Sequence, residues 1–466
     1  MLPLWLLIIA IVALGFALVA YAYWPGVIID DARWQYQQAV DNSYEDWHPP
    51  LMAWVWRRLA FIVPGPAPML LLQLLLYWAG IGLIAWWACR RGQRGLAVAI
   101  ACAGWLPAPL ALTGTVLKDV LMAGFLLVST GLLLCRTVVR SDGLRAAMMV
   151  ASVLCLFTAA ALRLNAVFAC LPLLLAALPP LFSRTPPRLV ASTMVAVAAL
   201  LMTGPIVAAL VQAENTKVDL SLKIFDLGGI TEHSGVSVFP NFGVRDPVAV
   251  NRLCYDPNQW DGYSTWAKRP CPLGYARFDE LVDEGDVSVT GLWLHAILAH
   301  PLAYTEHRLD HFNHSTWFLV PSGPAHTAWS QSVPNPWGFQ VRPNTMLMAV
   351  DDYVDAAART PLGWPIFWIS VALAALIVSV STRMAPVARA LPASAFLYGL
   401  TYLVVGVAVG MRYYFWTISG AALSVLVLAA ELRARHERVG RRTLIVALSI
   451  VAVPTLMAVA ARLTLP

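Results

Sequence analysis

Two adjacent carboxylates, Asp30 and Asp31, follow directly after the first apolar stretch of the chain. Charge is costly beside lipid, so an acidic pair at a membrane boundary needs a structural or a chemical reason. The structural reason would be a helix that begins here, with Asp30 as its N-cap and Asp31 in its first turn. The chemical reason would be base catalysis, because a positioned carboxylate can take a proton from an attacking hydroxyl group.

An aromatic and histidine-containing turn, Trp47-His48-Pro49-Pro50, lies later in the same loop. Consecutive prolines end one helix and start another, and they favour an extended backbone at His48. We therefore expect the His48 ring to face the same cavity as the acidic pair and to brace the loop rather than to transfer protons. Residues 51–61 predict an amphipathic helix in the membrane interface, with Arg57 and Arg58 facing phosphate groups.

Membrane spans must position these residues. Of the 466 residues, 59% are hydrophobic and 12% are charged, which is about half the charge of a soluble domain. Lipid must therefore solvate much of the chain. The net charge of +6 is concentrated in short arginine runs between apolar stretches. No basic stripe is interleaved with aromatic residues, so nucleic acid is not predicted as a partner.

Eleven apolar runs predict spans, each near the ~20 residues that a helix needs to cross the hydrocarbon. They are 2–23, 68–89, 95–112, 119–139, 145–162, 165–182, 189–211, 362–382, 391–410, 415–432 and 443–462. Arginines occupy alternate connections, at 90–94, 136–145, 184–188, 383–389 and 433–442. By the positive-inside rule, the N-terminus is predicted to be cytoplasmic in a bacterial inner membrane. The predicted periplasmic side holds 24–67, 113–118, the Arg163 turn, 212–361 and 411–414.

The sequence thus predicts an all-α polytopic membrane protein in three parts. Residues 1–211 would form an N-terminal catalytic transmembrane module, with the first periplasmic loop at 24–67. Residues 212–361 would form a periplasmic segment of mixed structure, and residues 362–466 the C-terminal transmembrane helices.

Cysteines and histidines stand out in the long segment 212–361. Cys254 and Cys271 could form a disulfide there if the segment is periplasmic, because that compartment is oxidising. His307, His311 and His314 share one helical face. A solvated histidine face is the commoner use of such spacing, and the spacings of common metal sites are absent, so no metal ligand is assigned.

The acidic pair and the turn at His48 resemble motifs of the GT-C class of membrane glycosyltransferases. Asp30-Asp31 with His48-Pro49-Pro50-Leu51 is similar to the Asp-Glu and His-Pro-Pro-Leu of protein O-mannosyltransferases. Asp30-Asp31-Ala32-Arg33-Trp34 is similar to the Asp-Glu followed by Arg and Tyr of lipid A aminoarabinose transferases. The second acid here is Asp31 rather than Glu, which departs from the pattern. Asp119 stands where the class places a further acid, and the resemblance covers 1–210 with only the layout shared beyond.

The resemblance implies a polyprenyl-phosphate sugar as donor, a lipid or glycan acceptor, and inversion at the anomeric carbon on the periplasmic side. It implies Asp30 as the base, while Asp31 and Asp119 would orient the acceptor, or a divalent metal if one is used. The donor phosphate needs cations as it leaves. The candidates are Lys118 and Arg163 first, then Arg57, Arg58 and Arg412, while Trp47, His48 and Tyr413 would line the acceptor side.

Other classes of function remain open. A multi-span transporter, or a flippase for a lipid-linked glycan, would share the span count and the buried charges. Such proteins tend to have related halves and acids within their spans, whereas Asp30, Asp31 and Asp119 lie at a span boundary. An O-antigen ligase or polymerase would use lipid-diphosphate donors, and a non-catalytic scaffold would not need the acidic pair.

Overall fold

The computed structural model describes residues 4–179, 182, 185–285, 288–321 and 328–464. These residues form helices and isolated β-bridges but no β-strand, so the predicted all-α membrane class is confirmed. The helices up to residue 210 are α1 (Leu4–Ala22), α2 (Asp30–Asp41), α3 (Leu51–Ala60), α4 (Ala67–Arg90), α5 (Arg94–Ala103), α6 (Pro107–Leu112), α7 (Lys118–Cys135), α8 (Asp142–Leu162), α9 (Val167–Ala177), α10 (Pro186–Leu201) and α11 (Thr203–Leu210). The later helices are α12 (Asp219–Ser234), α13 (Pro247–Cys254), α14 (Tyr275–Glu284), α15 (Val289–Ala299), α16 (Pro301–Thr316), α17 (Thr345–Ala358), α18 (Pro365–Val380), α19 (Pro386–Val405), α20 (Phe415–Arg435) and α21 (Arg441–Thr464).

Each of the eleven predicted runs has a helical counterpart. Among the described residues, eight helices are long and apolar enough to cross a membrane: Leu4–Ala22, Ala67–Arg90, Lys118–Cys135, Asp142–Leu162, Pro186–Leu210, Pro386–Val405, Met411–Arg435 and Arg441–Thr464. Shorter apolar helices, Arg94–Ala103, Leu164–Ala177 and Pro365–Val380, cover the other three runs. The run 95–112 differs from the expectation because the chain breaks before Pro107 into α5 and α6. Arg184, one of the orienting arginines, lies outside the described residues.

The chain forms two compact units. The first comprises Met1–Glu214, Gly323–Gly399 and Met411–Leu456, and the second comprises Asn215–Ser322, Leu400–Gly410 and Met457–Pro466. The predicted segment 212–361 is therefore divided. Its later part belongs to the first unit because Ser332 and Val333 exchange hydrogen bonds with Ile28, at 3.0 and 2.9 Å.

The core of the first unit is a close contact between α4 and α7. Gly80 faces Leu127 so closely that a Cβ there would lie 2.7 Å from the Leu127 backbone, and a Cβ at Gly131 would lie 2.6 Å from the Leu83 Cβ. Small residues let membrane helices approach in this way, since lipid supplies no hydrophobic force between them. A hydroxyl pair, Ser129 and Ser152, joins α7 to α8 at 2.7 Å. The helix α7, which begins at Lys118, is thus held rigidly.

The second unit is held by a disulfide and a buried polar network. The disulfide joins Cys254 to Cys271, the pair predicted from the sequence. Asp226 on α12 is fully buried, accepts a 2.7 Å hydrogen bond from Trp293, and pairs with Arg308. Burial opposes the charge of Asp226, but Arg308 and His307 outweigh that effect and lower its pKa. This network packs α12 on α15 and α16.

The histidine face of α16 is not the solvated surface that the sequence predicted. His307 and His311 are fully buried, and only His314 is partly exposed. The His307 ring meets the Tyr255 hydroxyl at 2.9 Å, and His311 donates through Nδ1 to the Pro257 carbonyl at 2.8 Å. Burial lowers the pKa of both rings, that of His311 to about 3. These histidines serve the packing of the second unit.

Candidate active site

A short backbone pairing brings the first loop against the connection between α6 and α7. Val27 donates to the Gly114 carbonyl at 3.1 Å, and Val116 donates to the Val27 carbonyl at 2.9 Å. Gly26, at φ 115°, allows the close approach, because a Cβ there would lie 3.0 Å from Val116 in a backbone conformation that L residues rarely adopt. The start of α2 is thereby fixed beside the start of α7.

The side chain of Gln73 on α4 forms hydrogen bonds with the backbone that connects α6 to α7. Its buried side-chain amide donates to the carbonyls of Thr113 and Thr115, at 2.7 and 2.8 Å, and accepts from the Leu117 amide at 3.3 Å. These three backbone groups lie outside any helix, and a buried backbone group without a partner is costly. Gln73 therefore replaces the missing helical hydrogen bonds and orients Lys118 and Asp119.

Asp31 lies among three nitrogen-bearing side chains. Its Oδ2 accepts a 2.8 Å hydrogen bond from Arg412 and lies 3.7 Å from Lys118 Nζ and 3.8 Å from His48 Nε2. Burial alone would raise the pKa of Asp31. The charges of Arg412 and Lys118 outweigh burial and hold the pKa below its usual range. Asp31 is therefore an anion at every physiological pH.

His48 is a neutral spacer between Asp31 and Lys118. An ammonium group can only donate, so His48 Nδ1 accepts from Lys118, at 2.5 Å, and the ring proton lies on Nε2, which faces Asp31. Burial and the Lys118 charge lower the pKa of His48 to about 3. The predicted role of His48 as a brace fits this geometry, because a ring with this pKa does not exchange protons near neutral pH.

Asp119 forms a second, deeper ion pair. Its fully buried side chain bonds through Oδ1 to Arg163, whose Nε donates to Asn165 at 3.3 Å. The other oxygen, Oδ2, is buried and has no hydrogen-bond partner among the described residues. A buried carboxylate oxygen is normally satisfied. Asp119 thus keeps one strong acceptor for a group that the chain itself does not supply.

Aromatic rings flank the two arginines of this site. The Tyr413 ring lies under both guanidinium groups, 5.2 Å from Arg163 and 4.9 Å from Arg412, and its hydroxyl meets Arg412 at 3.0 Å. Trp329 contacts Arg412 from another side at 5.9 Å. Such contacts hold a guanidinium plane in place.

The site carries a net positive charge. Lys118, Arg163 and Arg412 are cationic, Asp31 and Asp119 are anionic, and His48 is neutral, which leaves one uncompensated positive charge. The cationic side chains are between 10% and 14% exposed. Partial burial strengthens their attraction for an anion relative to bulk water. This group of six residues is called the charged cluster below.

Asp30, the base predicted from the sequence, lies outside the charged cluster. Its side chain is 68% exposed and pairs with Arg33 at 3.2 Å, one turn along α2. Neighbouring residues on a helix point about 100° apart. The buried face of α2 includes Ala32, Gln35 and Tyr36, and it takes Asp31 inward and leaves Asp30 outside.

Arg57 and Arg58 also lie outside the charged cluster. Arg57 donates to the carbonyls of Ala39 and Val40 near the end of α2, at 2.9 and 3.2 Å, so it caps that helix. Arg58 stacks on Trp54, 3.3 Å from the ring centroid. Trp47 is half-buried beside His48. The structure therefore assembles Asp31, His48, Lys118, Asp119, Arg163, Arg412 and Tyr413, and separates from them Asp30, Arg57 and Arg58.

Three contributors to the site were not identified from the sequence. Gln73 sits in an apolar span, where a polar residue is itself a signal of function. Trp329 and Ser332 lie in an irregular segment distant from the acidic pair, and no sequence pattern connects them to it.

Metal ligands are not gathered anywhere in the described part of the chain. No group of three or more His, Cys, Asp or Glu side chains there is arranged to hold a metal ion. The two cluster carboxylates are held by Arg412 and Arg163, so their strongest partners are already cationic. The donor set thus fits an anionic ligand better than a divalent cation.

No protein-family profile and no curated protein sequence matches this chain. Two solved structures are similar to it, each at 13% sequence identity. One is ArnT from Cupriavidus metallidurans in the apo state, with a TM-score of 0.34 over 91% of this chain and 77% of that one. The other is the archaeal oligosaccharyltransferase AglB from Archaeoglobus fulgidus, in complex with an inhibitory peptide and a dolichol-phosphate. Its TM-score is 0.35 over 98% of this chain and 56% of AglB.

Both similar structures are GT-C glycosyltransferases, the class that the motifs of this chain resemble. This chain spans little more than half the length of AglB. The described residues of the chain form a helical membrane protein.

Proposed function

We propose that this chain transfers a sugar from a polyprenyl-phosphate donor to a lipid or glycan acceptor, with inversion, at the periplasmic face of a bacterial inner membrane. The single observation that carries this proposal is the charged cluster, in which an ionised carboxylate and three cations meet at one end of α7 and α20. Sugar displacement from a phosphate requires a base for the acceptor and cations for the leaving group.

The net positive charge of the cluster supports an anionic donor. Lys118 and Arg412 would bind the donor phosphate, with Arg163 deeper in the site. A guanidinium group matches phosphate oxygens with two parallel hydrogen bonds. As the glycosidic C–O bond breaks, its electron pair moves onto the phosphate oxygen, and these cations stabilise the charge that develops there.

Asp31 is the base in this proposal, in place of Asp30. Its low pKa makes it a weak proton acceptor while Arg412 and Lys118 both face it. A bound phosphate competes for the same two cations, and this competition raises the proton affinity of Asp31. The base would thus become effective only when the donor is in place. The acceptor proton then moves to Asp31 Oδ2 as the acceptor oxygen attacks the anomeric carbon.

Asp119 would hold a hydroxyl group of one substrate. Its Oδ2 is buried without a partner among the described residues, and Lys118 precedes it directly on α7. A substrate hydroxyl that donates to Oδ2 would satisfy this atom and orient the sugar or the acceptor. The Tyr413 ring beside the two arginines offers an apolar face for the same ring system.

The disulfide supports the periplasmic orientation. Bonded cysteines persist in oxidising compartments and are rare in the cytosol. Cys254 and Cys271 belong to the predicted outer segment. The arginine-rich connections predicted to face the cytoplasm contain no member of this pair.

Mass spectrometry of envelope glycans and lipids, from cells with and without the gene for this chain, tests the proposal. We expect a glycan mass increment that disappears with the gene. In complemented cells, Asp31→Asn should reduce the increment by about 10²–10⁴-fold, the usual contribution of a positioned base. Asp30→Asn removes the same charge from the neighbouring exposed position and should retain most of the increment.

Three outcomes would contradict these assignments. If Asp30→Asn lost the glycan increment while Asp31→Asn kept it, the base would be Asp30. Full activity in both variants would remove the acidic pair from the reaction. Movement of a lipid-linked glycan across proteoliposomes, with no new glycosidic product, would favour a flippase instead.

A further inference from the structure

A polar cavity lies in the first unit at the opposite end of α20 from Arg412. Its volume is about 630 Å³. The polar side chains that line it come from the start of α5 and the end of α20: Gln93, Arg94, Arg433, His436, Glu437 and Arg438. The 21 residues of α20 place it about 30 Å along the helix from the charged cluster. It is therefore separate from the transfer site.

The acids near this cavity are already engaged. Glu431 is held by Arg91 and by Arg435, the latter at 2.8 Å, and Glu437 accepts the backbone N–H of Arg383 at 2.9 Å. By contrast, Arg94, Arg433 and Arg438 have no hydrogen bond or ion pair from their side chains within the described part of the chain. Glu437 is the one acid in the lining beside these three arginines, so the lining carries a net positive charge.

Two glycines keep the cavity open. Gly92 and Gly95 both line it, and a Cβ built at either position would meet no atom within 4 Å. A side chain at Gly95 would therefore project into empty space, and the helix would accept it readily, because glycine is among the poorest helix formers. The space beside the arginines is thus large enough for a ligand and is not filled by the chain.

We propose that this cavity binds the headgroup phosphate of an anionic phospholipid. Guanidinium groups pair with phosphate through two hydrogen bonds and are less strongly hydrated than ammonium groups. The cavity lies where α4 and α20 end, at the depth of the headgroups of one leaflet. Basic pockets between transmembrane helices bind anionic headgroups in this way. The proposal does not depend on sugar transfer.

The alternative is that these arginines only orient the chain in the membrane. Arginines at span ends do so without any specific contact. Orientation requires positive charge but no cavity beside it. The two explanations therefore differ in whether the position of the charge and the empty space matter for lipid binding.

Calorimetric titration of the full chain, purified in detergent, distinguishes them. The probes are dihexanoyl-phosphatidylglycerol, dihexanoyl-phosphatidylcholine and inorganic phosphate. We expect saturable binding of the phosphatidylglycerol, none of the phosphatidylcholine, and weaker binding of inorganic phosphate. Arg433→Gln/Arg438→Gln should weaken phosphatidylglycerol binding about tenfold or more, because the substitutions remove charged hydrogen-bond donors to the phosphate.

Two further variants act as control and as test of shape. Arg441→Gln/Arg442→Gln removes the same charge from the start of α21 and should change the affinity less than about twofold, because these two arginines do not line the cavity. Gly95→Leu keeps every arginine but fills the space, and it should also weaken binding. The proposal would be overturned if the two arginine pairs weakened phosphatidylglycerol binding equally. It would also be overturned if Gly95→Leu bound phosphatidylglycerol with wild-type affinity, or if inorganic phosphate bound as tightly as phosphatidylglycerol.

Discussion

Arg412 donates a 2.8 Å hydrogen bond to Asp31 across 381 positions of the chain. The carboxylate belongs to a loop helix and the guanidinium group to the short turn before α20. Their pairing joins the N-terminal and C-terminal parts of the first unit at one point. Because phosphate would compete with Asp31 for Arg412, this bond links donor binding to the state of the base.

We therefore expect Arg412 to be important for sugar transfer, although it is distant from the acidic pair in the sequence. We expect Arg412→Ala to reduce sugar transfer about 10²–10³-fold, the usual effect of removing one donor that stabilises developing charge. Arg412→Lys should recover only part of the rate, because an ammonium group lacks the guanidinium fork. Arg58→Ala, at the exposed stack on Trp54, is the matched control. A greater loss in Arg58→Ala would move the phosphate site to α3.

Gln73 should be a determinant of stability as well as of activity. Gln73→Leu leaves the carbonyls of Thr113 and Thr115 buried without partners. Each orphaned group is expected to lower the free energy of unfolding by about 1–3 kcal/mol. Thermal unfolding in detergent measures this loss, with Gln37→Leu as control, because Gln37 contacts only Asp41 at the surface. Equal midpoints for the two variants would show that the α6–α7 connection does not depend on Gln73.

His48 and His311 predict that acid destabilises the chain. Both rings are neutral in the folded state, with pKa values lowered to about 3, whereas an unfolded histidine has its ordinary value. Between about pH 3 and 6.5 the unfolded chain therefore binds more protons, so stability is complete above pH 6.5 and is lost as the pH falls.

The expected slope is about 1.4 kcal/mol per pH unit for each such histidine. His48→Gln should flatten the dependence of the unfolding midpoint on pH between 4 and 6. His295→Gln, at an exposed position, should leave the slope unchanged. A wild-type slope in His48→Gln would mean that His48 is protonated in the folded chain.

The carboxylate of Asp31 should also make the folded chain less stable as the pH falls, as the two histidines do. Because its pKa is lowered, its contribution to stability is present above the unfolded value of about 4 and is lost only as the pH falls below that value. The decrease of kcat/KM for sugar transfer at acidic pH should therefore begin only below about pH 4. A decrease near pH 6 in wild type that Asp31→Asn abolishes would indicate a carboxyl group with a raised pKa instead.

The disulfide should stabilise the second unit. Cys254 and Cys271 are separated by 17 positions, and a loop of this length predicts about 3 kcal/mol of stabilisation. Cys254→Ala/Cys271→Ala should lower the unfolding midpoint in the absence of reductant, and wild type with dithiothreitol should match it. An unchanged midpoint, with both thiols open to maleimide labelling in untreated wild type, would contradict the bond.

Hydropathy and arginine placement predicted the spans, because lipid imposes a length and a composition that single segments reveal. They did not predict the break between α5 and α6, where α5 ends at Ala103 and α6 begins at Pro107. The resemblance placed Asp31, Asp119 and Lys118 in one site, and the structure brings these three residues close together at the starts of α2 and α7.

Helical phase separates Asp30 from Asp31. Asp30 shares its face with Trp34, Gln37 and Asp41, whereas Asp31 shares its face with Gln35 and Gln38, which are buried. That periodicity was visible in the sequence. The contacts of Trp329 and Ser332 were not visible, because they depend on where an irregular segment lies in the folded unit.

The pairing of Val27 with Thr115 limits where the chain can tolerate insertions and deletions. Only three residues separate Val27 from Asp31, and only three separate Thr115 from Asp119. One added or deleted residue in either stretch would displace its acid by about 3.3 Å, the rise of an extended backbone. Insertions and deletions should therefore be excluded from both stretches, while the exposed turn at Phe61 to Val63 has room for them.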